Sequence, residues 1–92
     1  MTKKELKNEL EMARKSVVSK GFSWNKNKDI DWVSIKQFEI AYQDTIERLF
    51  PNYCWWQLTN YWDIFNAMMG GINDNDIIDE IIAHIDDRYF GE

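Results

Sequence analysis

Four segments of the 92-residue chain repeat apolar residues at helical spacing. The first opens on Thr2-Lys3-Lys4-Glu5, a capping-box pattern in which hydroxyl and carboxylate each satisfy the other residue's backbone N–H. Leu6, Leu10, Ala13 and Val17 then share one face before Gly21, which predicts a helix from about Lys3 to Lys20. Its stripe is narrow, so its lysines are expected in water. The second segment carries Ile35, Phe38, Tyr42, Ile46 and Leu49 and stops before Pro51, with Asp29 or Asp31 as its N-cap. Between the two, Phe22 and Trp24, then Ile30 and Trp32, alternate around a polar Asn-Lys-Asn-Lys stretch. That pattern reads as a short β-hairpin over residues 22–34 or as a loop leading to the cap, and the loop is preferred.

In the third segment Asn52 can cap a helix over residues 53–69 that ends at Gly70-Gly71. Trp55, Leu58, Trp62, Phe65 and Met69 form one stripe, Cys54, Tyr61 and Met68 flank it, and Trp56 and Ile64 lie on further faces. A helix apolar over most of its circumference is buried on more than one side, as a central core helix or at a subunit interface. The fourth segment starts at Asn73 or Asp74, with Asn73 and Asp76 as a reciprocal cap. Ile77, Ile78, Ile81, Ile82, Ile85 and Tyr89 cover an arc of roughly 140° at 100° per residue. Asp76, Asp79, Glu80, Asp86 and Asp87 occupy the opposite arc. The expected fold is mainly α: a single domain over residues 1–92 with about four helices. Its expected core is Leu6, Leu10, Val17, Phe38, Tyr42, Leu49, Leu58, Trp62, Phe65, Ile78, Ile81, Ile82 and Ile85.

Composition narrows the chemistry. Hydrophobic residues make up 45% of the chain and aromatics 15%, too much apolar material for a disordered segment. Cys54 is the only cysteine, which excludes an internal disulfide and a multi-cysteine zinc site and fits a reducing, cytoplasmic setting. The lysines at the start precede no apolar run, so a secretory signal is not expected. The most apolar stretch, Tyr53 to Met69, is interrupted by Gln57, Asn60, Asp63 and Asn66 and falls short of the roughly 20 apolar residues of a membrane span. An EF-hand register fails from either Asn73 or Asp74, because isoleucines, an aspartate or His84 fall where ligands or glycine are required. Glu80, His84 and Asp87 share a helix flank, but one histidine with two carboxylates on an exposed helix reads as a solvated face, and no metal or cofactor is expected. Cys54 has no histidine partner beyond His84, and no phosphate loop or nucleophile elbow is present, so the chain is not expected to be an enzyme.

Charge is distributed unevenly. Residues 1–28 hold eight Lys/Arg against three Glu, a net of +5, whereas residues 29–92 hold three against thirteen Asp/Glu, a net of −10. A basic partner is expected for the acidic part, and direct nucleic-acid binding there is disfavoured. A continuous helix from Asp74 to Asp87 would rise about 20 Å. Its six carboxylates, Asp74, Asp76, Asp79, Glu80, Asp86 and Asp87, would then recur every ~3.3 Å, close to the ~3.4 Å phosphate spacing of one DNA strand. Asp44 and Glu47 on the second helix are candidates for a second row. On this reading the acidic face imitates a phosphate backbone.

With its length, its wealth of Lys, Asn, Ile and aromatics, and the acidic run from Asp74 to Asp87, the chain resembles the small DNA-mimic anti-restriction proteins of phages, above all the Arn-type anti-restriction nuclease proteins of T-even phages. The resemblance implies a homodimeric inhibitor, acting in the host cytoplasm, that occupies the DNA-binding site of a restriction nuclease of the modified-cytosine-dependent McrBC type. The basic N-terminal third departs from that pattern. Two other readings stay open: an inhibitor or immunity-type protein of the anti-CRISPR kind that recognises one protein by shape, and a nucleic-acid-binding module using Trp24 among Lys20, Lys26 and Lys28.

Overall fold

The computed structural model describes residues 1–23, 32–74 and 76–91. Two long helices, α1 (Lys3–Ser19) and α2 (Trp32–Leu49), precede three short ones, α3 (Trp55–Leu58), α4 (Ile64–Met69) and α5 (Ile77–Ala83), and a 3-10 turn at Asp87–Tyr89. Among the described residues the mainly helical expectation is met, with five helices where about four were expected, and no strand. None of these helices is long and apolar enough to cross a membrane.

α1 begins where its capping box places it. Thr2 Oγ1 accepts from the Glu5 N–H at 3.1 Å, and the Glu5 carboxylate accepts from the Thr2 N–H at 3.3 Å. Leu6, Leu10 and Val17 are buried. α2 lies antiparallel to α1: Arg48 pairs with Glu9, while Asp44 and Thr45 share a groove with Ala13, Ser16 and Val17. Ile35, Phe38, Tyr42 and Ile46 are buried as their spacing predicts, and Leu49 is half-buried. Burial pushes the Tyr42 hydroxyl well above the range in which a phenol normally titrates. Residues 24–31, which hold both proposed caps of α2 and most of the alternative hairpin, lie outside the described residues. Residues 32–34 form the first turn of α2, so no second strand runs through them.

The stretch 53–69 departs most from expectation, because the single long helix is broken into α3 and α4. Thr59 Oγ1 donates to the Trp55 carbonyl at 2.7 Å and lies 3.4 Å from that of Trp62. Asn60 and Tyr61 take left-handed φ values of 53° and 63°. Asp63 then restarts the chain as a helix, its carboxylate accepting from the Phe65 N–H at 3.0 Å. Short polar side chains compete for backbone groups and so favour turns and caps over a helix interior. Here three of them within five residues outweigh the apolar stripe. The break rotates the faces: Trp55, Leu58, Ile64 and Met68 are buried, whereas Trp62 and Phe65, expected in the core, are half-buried. Asn52 does not cap α3, which starts instead at Cys54, whose N–H donates to Gln57 Oε1 at 3.0 Å. Loss of the Asp63 cap in Asp63→Ala is expected to lower stability by about 0.5–2 kcal/mol. Urea unfolding measures this, and an unchanged midpoint would show that Asp63 does not hold the break.

The last acidic segment is also shorter than its pattern predicts. The Asn73 carbonyl accepts from the N–H groups of Asp76 and Ile77, and Asp76 makes no side-chain cap. α5 stops at His84, after which Asp86 turns extended and its carboxylate accepts from the Arg88 N–H. Ile77, Ile78, Ile81 and Ile85 are buried and Ile82 is half-buried. This segment runs back along α1, with Lys7 paired to Asp79 at 3.1 Å, Lys3 paired to Asp87 at 2.6 Å, and the Gly91 N–H bonded to the Met1 carbonyl. α1 therefore packs between two antiparallel neighbours, and its N-terminal lysines are partly engaged rather than free in water.

Candidate functional site

Two surfaces stand out: the acidic segment that the sequence singles out, and an aromatic cleft that it does not.

The acidic residues do not form one straight row. α5 spans seven residues, or about 10 Å of helix. Of the six carboxylates, only Asp79 and Glu80 lie on it. Asp74 is half-buried ahead of it, within electrostatic reach of Arg14. Asp76 precedes the first turn, and Asp86 and Asp87 belong to the separate 3-10 turn. The even spacing expected of a continuous helix is therefore absent. Several carboxylates also meet cations of the same chain: Asp79 meets Lys7, Asp87 meets Lys3, and Asp86 meets Arg88 at 3.9 Å. Such exposed pairs contribute only about 0–1 kcal/mol each, so they remain open to a competing cation. Asp44 and Glu47 are exposed on α2, but Asp44 flanks residues 13–20 of α1 while Asp79 and Asp87 flank Lys7 and Lys3. At ~1.5 Å per residue that is roughly 15 Å further along α1, so the structure does not bring the second row beside the first. Among the described residues no group of three or more His, Cys, Asp or Glu side chains could hold a metal ion. His84 instead stacks on Trp62, their rings 4.2 Å apart and nearly parallel.

The cleft opens between the first turns of α2 and the α3–α4 break. Trp32, Lys36, Glu39, Gln43, Trp56, Asp63 and Phe65 line a volume of about 550 Å³. The broken helix creates it. Had residues 53–69 continued as one helix, Trp56 and Phe65 would point in directions 900° apart at 100° per residue, which places them on opposite faces. The turn at Asn60 and Tyr61 lets both rings line one opening. Trp32 lies 5.6 Å from Phe65, and Trp56 stacks on Tyr61 at 6.2 Å. These rings are well exposed for aromatics: Trp32 at 60%, Trp56 at 44% and Tyr61 at 78%.

Within this aromatic frame sits an unusual carboxylate. Glu39 is only 6% exposed. Glutamate is almost never so buried unless it is paired, because taking its charge out of water is costly. Its partner is Lys36, one turn earlier, whose ammonium donates to Glu39 Oε1 at 2.7 Å. The same ammonium lies 5.6 Å from the centre of the Phe65 ring. The bond to Glu39 raises the Lys36 pKa, with a smaller contribution from Asp63. One cation thus sits against a ring face, bonded to one carboxylate and within electrostatic reach of a second. A signal for this existed in the sequence. At 100° per residue Glu39 falls ~20° beyond Ile46, at the very edge of the apolar arc of α2, where a charged residue borders the core.

No known protein family, curated protein or solved structure matches this chain.

Proposed function

We propose that this chain is a non-catalytic binding protein that occupies a basic partner protein, in the manner of an inhibitor or immunity protein. The observation that carries this reading is a carboxylate-lined opening walled by exposed Trp32, exposed Trp56 and half-buried Phe65, with exposed Tyr61 stacked on Trp56. Exposed Trp and Tyr are over-represented among the residues that dominate protein interfaces, where they act as rigid anchors. The −10 net charge of residues 29–92 selects for a partner of positive sign.

A second reading, DNA mimicry against a restriction nuclease of the McrBC type, is favoured by one observation: Asp76, Asp79, Asp86 and Asp87 are all exposed along the edge formed by α5 and the 3-10 turn. On this reading the number of charges matters more than a helical spacing.

The two readings separate in one experiment. The tagged protein is used to capture partners from bacterial lysate at low and at high salt, with two variants alongside. One variant combines Trp32→Ala with Trp56→Ala, and the other combines Asp76→Asn, Asp79→Asn, Asp86→Asn and Asp87→Asn. On the first reading the double aromatic variant loses capture by tenfold or more, while the asparagine variant changes it by less than about threefold. The reverse outcome, with steep weakening by salt as expected when a phosphate-binding surface reads carboxylates, would establish mimicry instead. Light scattering of the free protein and of the double aromatic variant at tens of micromolar decides whether the aromatic face is covered by a second copy: a dimeric mass that the variant loses would displace the first reading, while the mimicry reading, which implies a homodimer, would stand.

A further inference from the structure

We propose that the cleft between α2 and the α3–α4 break is a receptor site for a single arginine side chain of a protein partner, with Glu39 as its anion and Trp32, Trp56 and Phe65 as its walls. The proposal rests on the reading of a basic protein partner and specifies how that partner is held.

Three features of the cleft converge on a cation. Its faces are aromatic, and ring faces attract cations placed within about 6 Å of their centroid. Its floor holds a carboxylate buried almost completely, Glu39, with Asp63 beside it. It already contains a cation, since the ammonium of Lys36 lies against Phe65 and bonds Glu39. That ammonium comes from a side chain still 58% exposed, so its hold on Glu39 is that of a stand-in reaching inward from the rim. Lys36 can swing into water once a guanidinium takes over its bond to Glu39, whereas Glu39 cannot follow it.

Guanidinium fits this frame better than ammonium. It is planar and weakly hydrated, stacks flat on aromatic faces and can donate two parallel hydrogen bonds to one carboxylate. Lys36 satisfies Glu39 through Oε1. A guanidinium can engage both oxygens while its plane rests on an indole. The volume of about 550 Å³ leaves room for the aliphatic stem and the adjoining backbone of the partner.

The test titrates N-acetyl-arginine methylamide into the labelled full chain and follows the indole N–H signals of its five tryptophans by NMR. Parallel titrations use the neutral citrulline analogue, the lysine analogue and tetramethylammonium. The expected result is saturable movement of the Trp32 and Trp56 signals with the arginine probe, at least fivefold weaker binding of the lysine probe and of tetramethylammonium, and no saturable response to citrulline. Equal response to citrulline, or tighter binding of tetramethylammonium than of arginine, would overturn the proposal. Glu39→Gln keeps shape and removes charge, and is expected to weaken the arginine probe at least tenfold. Lys36→Met removes the stand-in and is expected to tighten it about threefold, a gain that a misfolded variant cannot produce. Unchanged or weaker binding in Lys36→Met would refute the stand-in role and with it the proposal. A chain that binds the arginine probe but captures no basic protein from lysate would retain the receptor site and discard the proposed function.

Discussion

Trp55→Ala is expected to lower stability by about 3–5 kcal/mol, the cost of removing a large aromatic side chain from a packed core. Trp55 is 3% exposed and opens α3, where it packs among the core residues with Leu58. At about 4–8 °C per kcal/mol for a domain of this size, the thermal midpoint should fall by at least roughly 12 °C. A domain of 92 residues has only about 5–15 kcal/mol in hand, so the variant sits near the edge of folding. Trp62→Ala provides the contrast. Trp62 is half-buried and rests one face on His84, so its loss should cost about 1–2 kcal/mol, in line with an ordinary point substitution. The order of the two effects distinguishes the broken helix from a continuous one, in which Trp62 would be the core residue. Calorimetry of both variants checks it, and a larger loss for Trp62→Ala would mean that the break between α3 and α4 is misplaced.

Ile81→Ala is expected to cost about 2–5 kcal/mol. Ile81 is fully buried at the centre of α5, on the face opposite Asp79. A seven-residue helix has almost no stability of its own in water, so docking on α1 is what keeps it helical. The surface pairs Lys7–Asp79 and Lys3–Asp87 are too exposed to supply that docking energy. Loss of the Ile81 side chain should therefore loosen the whole segment, which is read as faster amide exchange from residue 77 to residue 85. A change below about 1 kcal/mol, with exchange unaltered, would show that the ion pairs and not the isoleucines hold α5 to α1.

Much of this fold is legible in the sequence where local and tertiary preferences agree. The Thr2–Glu5 cap, the stripe of α1 and the arc Ile35, Phe38, Tyr42 and Ile46 of α2 each combine helical spacing with a suitable cap or stop. The pattern misleads where polar residues sit inside an apolar period. Over residues 53–69 the spacing of Trp55, Leu58, Trp62 and Phe65 continues through Thr59, Asn60 and Asp63, but the backbone does not. α5 ends at His84, and Asp86 then caps a separate turn that holds Asp87. The even row of charge depended on a helix that these side chains do not permit. The cleft was hidden for the same reason, since Trp56 and Phe65 share it only because the chain turns at Asn60 and Tyr61. Glu39 was the one visible clue, a charged residue at the edge of an apolar arc.

The pairing of the first helix with the last segment has a bearing on how the molecule is made. α1 leaves the ribosome with its Leu6 and Leu10 face ready, but its α5 partner follows roughly 70 residues later. At synthesis rates of about 5–20 residues per second, that is a wait of roughly 4–14 s. During the interval α1 can associate with α2, which fits it from the other side, while the surface meant for Ile78 and Ile81 stays open to chaperones or to a neighbouring nascent chain. Nascent chains stalled just before residue 77 should therefore be trapped by a holdase, and release should coincide with emergence of the isoleucines.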